Sequence, residues 1–209
     1  TPVSARKDLF IKVLLPIVFL ENENILKKRK KILQWWTEMD GEIVGKEFWP
    51  DWLLEICKEY SFEEENVGNL LMRVDIIPIS MALSQAAIES GWGSSRYARE
   101  GNAIFGQYTF DTSVGLIPKE RESDKKHLIR KFNNLSDSVI SYIKNLNTHD
   151  AYNSFREQRK KLRMDGDILD GVILSETLTN YSERKDEYIK DVKEIIMKNN
   201  FKKFDKVYN

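Results

Sequence analysis

The segment from Pro78 to Gly93, PISMALSQAAIESGWG, constrains the fold more than any other stretch of the chain. Proline suits a first helical turn, and Ile79, Ala82, Leu83, Ala86 and Ala87 recur at the i, i+3, i+4, i+7, i+8 spacing of a buried helix. Gly91 and Gly93 then stop it. One acidic residue, Glu89, stands where this apolar helix is about to end. Stepping about 100° per residue places Glu89 about 20° from Ala82, at the border of the buried stripe. A carboxyl there is half desolvated and lies at the negative end of the helix dipole. Both effects push its pKa upward, toward what a general acid needs. A solitary glutamate at a helix end is ordinarily solvated, so its surroundings must decide its role.

Those surroundings are rich in groups that suit a glycan. The sequence SSRYAREGNAIFGQYTF follows at once. Trp92, Phe105 and Tyr108 offer flat apolar faces, with Tyr97 and Phe110 nearby, and Ser90, Asn102 and Gln107 offer hydroxyl or amide partners. Sugar rings pack on aromatic faces and hydrogen-bond to amides, although aromatic residues in a small lobe also serve as core.

The rest of the chain reads as mainly α with a small β lobe. Residues 5 to about 60 carry helical patterns, RKDLFIKVLL, ENILKKRKKILQWW and FWPDWLLEICKEY, and form an expected N-terminal helical extension over 1–60. The apolar run LFIKVLLPIVFL, of 12 residues, is too short to span a bilayer and predicts a buried helix broken or kinked at Pro16. Residues 103–132 change character: AIFGQYTF and HLIRKF flank a polar loop and predict a hairpin-like lobe. Helical patterns resume at LSDSVISYIKNL, FREQRKKL, GDILDGVILSETL and DEYIKDVKEIIM, so 61–209 reads as one unit with the lobe set into it.

Charge and cysteine content narrow the function. Lys+Arg and Asp+Glu are both 33, so no global field draws the chain to nucleic acid, and the basic run Lys27–Lys31 reads as a solvated helix face. One cysteine and two histidines give no zinc spacing; no metal or cofactor is implied, and Cys57 reads as a small buried hydrophobe. The chain opens at Thr1 without a methionine, which leaves room for an export signal or anchor upstream.

The stretch SQAAIESGWGSSRYAREGNAIFGQY, with its N-x-x-FG ending, resembles the bacterial glucosaminidases of glycoside hydrolase family 73. GLIPKER, IRKF, SVISYIKNLNTHDAYNSFREQR and LTNYSERKDEYI follow in the order of the Bax-like branch of that family, and ARKDLFIKVLLPIVFLEN is similar to its first helices. The resemblance implies a lysozyme-like fold, a place in the bacterial envelope as a periplasmic or exported protein, and peptidoglycan glycan strands as substrate. It implies hydrolysis of the β-1,4 bond after N-acetylglucosamine, with Glu89 as catalytic acid and Tyr181 in the active site. The second carboxylate of flagellar-type relatives has no clear register in LIPKERESDKK. Glu120 is preferred to Glu122, and a substrate-assisted route through the N-acetyl group stays open. A muramidase or lytic transglycosylase on the same fold, or a binding protein without turnover, are the alternatives.

Overall fold

The computed structural model describes residues 2–39, 45–117 and 127–208. Ten helices surround one another in the order α1 (Val3–Glu38), α2 (Asp51–Glu59), α3 (Val67–Arg73), α4 (Ile79–Ser90), α5 (Arg96–Gly101), α6 (Leu135–Thr148), α7 (Asn153–Asp165), α8 (Gly171–Ser175), α9 (Asp186–Lys198) and α10 (Lys202–Asp205) among the described residues. Between α5 and α6 lie three short strands, β1 (Tyr108–Thr109), β2 (Gly115–Leu116) and β3 (Leu128–Arg130). The fold is mainly α, lysozyme-like, with a small β lobe.

Helix α4 lies at the centre of the packing. Every residue of α4 except Ile88 and Glu89 is buried, and α1, α8, α9 and α10 all pack on it. Small side chains at 82, 86 and 87 let these neighbours approach closely; leucines there would hold them apart. The first amides of α4 receive no cap from Pro78. Asp205 of α10 supplies one instead, accepting from the Ser80 N–H at 2.9 Å, the Ser80 hydroxyl at 2.6 Å and the Gly171 N–H at 3.0 Å. A carboxylate at a helix N-terminus is also favoured by the dipole.

The N-terminal segment differs from its sequence reading. The expected separate helices over residues 5–36 are one helix of 36 residues that runs through Pro16. A proline forfeits one backbone hydrogen bond, and the neighbouring Leu14 and Val18, buried against the core, hold the helix together on either side. Nor is the basic run wholly solvated. Arg29 turns inward and donates to the Val74 carbonyl at 3.0 Å, while Asn22 clasps Ile77 through both its amide atoms, at 2.8 and 3.3 Å. One continuous core takes residues from α1 and α2 and from the helices after residue 61. Cys57 is buried in it. No helix among the described residues is long and apolar enough to cross a membrane.

In the lobe the two flanking segments do pair: Tyr108 faces Ile129 and Thr109 faces Leu128 in an antiparallel register. β2 joins on the other side of β3, so the sheet has the order β1-β3-β2 and is larger than a two-stranded hairpin.

Candidate active site

Glu89 is the penultimate residue of α4 and opens onto a cleft of about 570 Å³ between the helices and the β lobe. Its side chain is half-buried. Burial raises the carboxyl above its ordinary pKa, and the Tyr188 hydroxyl beside it and the more distant Arg184 guanidinium oppose that only in part. A group so placed keeps its proton to higher pH than a solvated glutamate.

The FG pair of the sequence motif has a geometric reason. Gly106 has φ +61°, and a Cβ built on it would stand 2.9 Å from Glu89 Oε2. Only glycine accepts that backbone conformation while letting the lobe close onto the carboxyl. Phe105, beside it, stacks on Tyr142 at 3.8 Å between ring centroids, with 6° between the planes. The Phe105 carbonyl accepts the Tyr181 hydroxyl at 3.2 Å. Tyr181 in turn stacks on Tyr188 at 5.5 Å. The wall of the cleft is therefore a set of interlocked rings from the lobe, α6, α9 and the segment before α9. Burial, with Tyr188 and Glu89 alongside, pushes the Tyr181 hydroxyl well above its ordinary range, so it stays protonated.

Of the residues singled out in the sequence, Glu89, Phe105, Gln107, Tyr108 and Tyr181 line this cleft. Gln107 donates through Nε2 to the Ser141 carbonyl at 3.4 Å, and its Oε1 has no donor among the described residues. Tyr108 is exposed and leans against His127, ring centroids 4.3 Å apart. Ser90, Trp92 and Asn102 are not brought to the cleft. Ser90 is fully buried; its hydroxyl donates to the Ala86 carbonyl at 2.6 Å and accepts the Gly93 N–H at 2.8 Å, which locks the turn after α4. Trp92 has φ +58°, between Gly91 and Gly93, and this turn sends its ring away from Glu89 onto Phe10 of α1 at 5.5 Å and Phe201 at 6.3 Å. Asn102 ends α5 in the left-handed conformation and gives its amide to the Phe132 carbonyl at 3.0 Å. These three residues shape the scaffold that presents Glu89 and Phe105. Glu120 and Glu122 lie outside the described residues.

Sequence reasoning passed over several cleft residues. Asn145 of α6 and Tyr152 line the cleft, and so do Glu183 and Arg184. Gln85 and Tyr188, directly behind Glu89, were also missed. A glutamine in an apolar helical stripe was the available signal for the first.

Residues 65–201 match the glucosaminidase family, described as mannosyl-glycoprotein endo-beta-N-acetylglucosaminidase. The chain is 31% identical over 198 residues to Protein bax of Escherichia coli (strain K12), an alignment that covers 88% of this chain and 66% of that relative. It thus spans just under two thirds of the relative's length. No solved structure matches the chain.

Proposed function

The chain belongs to the glucosaminidase family, and on that premise we propose that it is a peptidoglycan hydrolase of the bacterial envelope, an endo-β-N-acetylglucosaminidase in which Glu89 is the general acid. The observation that carries the reading is the half-buried Glu89 carboxyl, raised in pKa by burial, at the wall of an open cleft lined by Phe105, Tyr108 and Tyr181. Glycan chains bind across such clefts by ring stacking and by hydrogen bonds at the rim.

The chemistry follows from these groups. Glu89 gives its proton to the glycosidic oxygen as the C1–O bond breaks and the bonding pair passes to the leaving sugar. The developing positive charge at C1 is met by the carbonyl oxygen of the substrate's own 2-acetamido group, or by a water that a second carboxylate deprotonates. In the substrate-assisted route water then attacks C1, the C1–O bond to the acetamido oxygen breaks with its pair returning to the acetamido group, and the proton of the water goes to Glu89; in the direct route the single attacking water leaves its proton on the second carboxylate. Glu183 is the other carboxylate lining the cleft among the described residues, while Glu120 stays the sequence's candidate for the second acid. Tyr181 serves as an orienting residue. Its hydrogen is committed to the Phe105 carbonyl, which leaves its oxygen to accept an acetamido N–H. The free Gln107 Oε1 offers another acceptor on the same wall.

Digestion of purified peptidoglycan with the wild type and with Glu89→Gln tests the assignment. The wild type should release soluble fragments, and the variant, which keeps its shape but has no proton to give, should release them about 10²- to 10⁴-fold more slowly. Equal release by both would remove Glu89 from the mechanism.

A further inference from the structure

Three polar side chains lie in the apolar interior behind Glu89. Gln85, one turn earlier on α4, is fully buried, and Tyr142 of α6 and Tyr188 of α9 are each 1% exposed. The Tyr142 hydroxyl donates to Gln85 Oε1 at 2.6 Å and Gln85 Nε2 donates to the Tyr188 oxygen at 3.1 Å. The Tyr188 hydroxyl lies beside the Glu89 carboxyl, where it works against the effect of burial on that group.

The inventory of hydrogens gives this chain a direction. The Gln85 carbonyl is taken by Tyr142, so its amide group donates onward. The Tyr188 oxygen receives that N–H, and its own hydrogen is left for Glu89. Every donor therefore points toward the carboxyl. Phe105 stacked on Tyr142 and Tyr181 stacked on Tyr188 cover the chain. A glutamine inside a helix of alanine, leucine and isoleucine costs stability unless it is fully used, and here both its amide atoms are bonded.

Resting on the reading of Glu89 as the acid, we propose that Tyr188, oriented by Gln85 and Tyr142, is a positioning residue that holds the Glu89 carboxyl against Gly106 and stabilises the carboxylate that forms as the proton leaves. Before transfer, Tyr188 donates to the carbonyl oxygen of the neutral acid, which leaves the protonated oxygen to face the leaving group. As the proton departs, the same bond becomes charge-assisted, shorter and stronger. The gain is realised in the transition state more than in the ground state, so it acts on kcat. Gln85 and Tyr142 never touch the substrate; they fix which way the Tyr188 hydrogen points.

The test is to follow the Glu89 side-chain carboxyl carbon by ¹³C NMR through a pH titration, in the wild type, Tyr188→Phe and Tyr142→Phe. Without the Tyr188 donor the anion loses its support, so Glu89 should titrate at higher pH in Tyr188→Phe. Tyr142→Phe, which only loosens the orientation of Gln85, should move it the same way by less. On peptidoglycan, kcat of Tyr188→Phe should fall about ten- to a hundredfold with little change in KM, and the alkaline limb of the pH profile should move upward with the Glu89 titration. If Tyr188→Phe does not fold, the Tyr142→Phe titration decides alone. A Glu89 titration that stays in place or falls in every folded variant overturns the proposal. Because it is read from the folded protein whether or not any bond is cut, the titration tests the donor chain independently, while an inactive wild type would count against the proposed function.

Discussion

Two carboxylates, Asp75 and Glu89, are drawn into the same helical body and are treated in opposite ways. Asp75, just before α4, is 2% exposed and surrounded by guanidiniums. Arg163 reaches it at 2.8 Å, Arg29 at 3.5 Å and Arg159 at 3.9 Å. Burial alone would raise its carboxyl, but Arg159, Arg29 and Arg163 outweigh that and hold it below the ordinary range. Glu89, near the end of α4, has the neutral Tyr188 hydroxyl beside it and the Arg184 guanidinium only beyond ion-pair distance, and burial wins. Cationic partners make a buried carboxylate a permanent anion that ties elements together; neutral partners leave it a proton that can be given away. The arginines do the tying. Arg159, itself brought down to about 10 by burial against the pull of Asp75, bonds the carbonyls of Met72, Asp75 and Ile76 and joins α7 to the turn before α4.

The largest effect that would break this contrast is on stability at the Asp75 end. Asp75→Asn leaves three guanidiniums facing one another without their anion, and it should cost about 3–5 kcal/mol in urea unfolding. Turnover per folded molecule should change little, since Asp75 lies outside the cleft. A loss of activity without a loss of stability would mean that the two carboxylates are not separate in role.

The pH dependence of stability should show opposite signs. Asp75 has a folded pKa below its unfolded one, so its contribution is present above about 3.9 and is lost as pH falls through the folded value. Glu89 has a folded pKa above its unfolded one, so it costs stability as pH rises from about 4.3 through the folded value. Glu89→Gln removes that cost. It should therefore raise Tm at pH 7 and give no gain below about pH 4, in a calorimetric series on the same variant that the proposed function expects to lose turnover. A lower Tm at pH 7 would show that burial is not what governs Glu89.

Gly106→Ala sharpens the comparison at the cleft. Positive φ disfavours alanine by about 1–2 kcal/mol, and the new Cβ displaces Glu89 Oε2. Activity should fall further than the modest drop in melting temperature explains, which parallel melting and turnover assays on one preparation would reveal. The smallest effect is at Tyr181. Tyr181→Phe keeps the stacked ring and removes the oxygen, so kcat should drop on the order of tenfold with KM nearly unchanged. A lower melting temperature with normal kcat would make the hydroxyl a tie to Phe105 and nothing more.

Much of this was readable from local pattern. The small-residue stripe of α4 and the position of Glu89 at its edge depend on residues within one helix, and the family motif marks the same stretch. What depended on distant partners was not readable. Gln85 meets Tyr188 across 103 residues, and Ser80 meets Asp205 across 125, with no periodicity to announce either. Ser90, Trp92 and Asn102 have side chains that suit sugar binding, but three successive positive φ angles at residues 91–93 turn Trp92 toward α1, and residue type alone does not carry that direction. The proline in α1 reads as a break because the local rule is strong; tertiary packing on both sides of it overrides the rule.

The most direct measurement is mass spectrometry of the new reducing ends released from purified peptidoglycan, with Glu89→Gln run alongside. The expected result is N-acetylglucosamine at the reducing end in the wild-type digest, and almost none from the variant. A reducing or 1,6-anhydro N-acetylmuramic acid end would contradict the assignment of the cleaved bond, and N-acetylglucosamine ends released equally by the variant would contradict the role of Glu89.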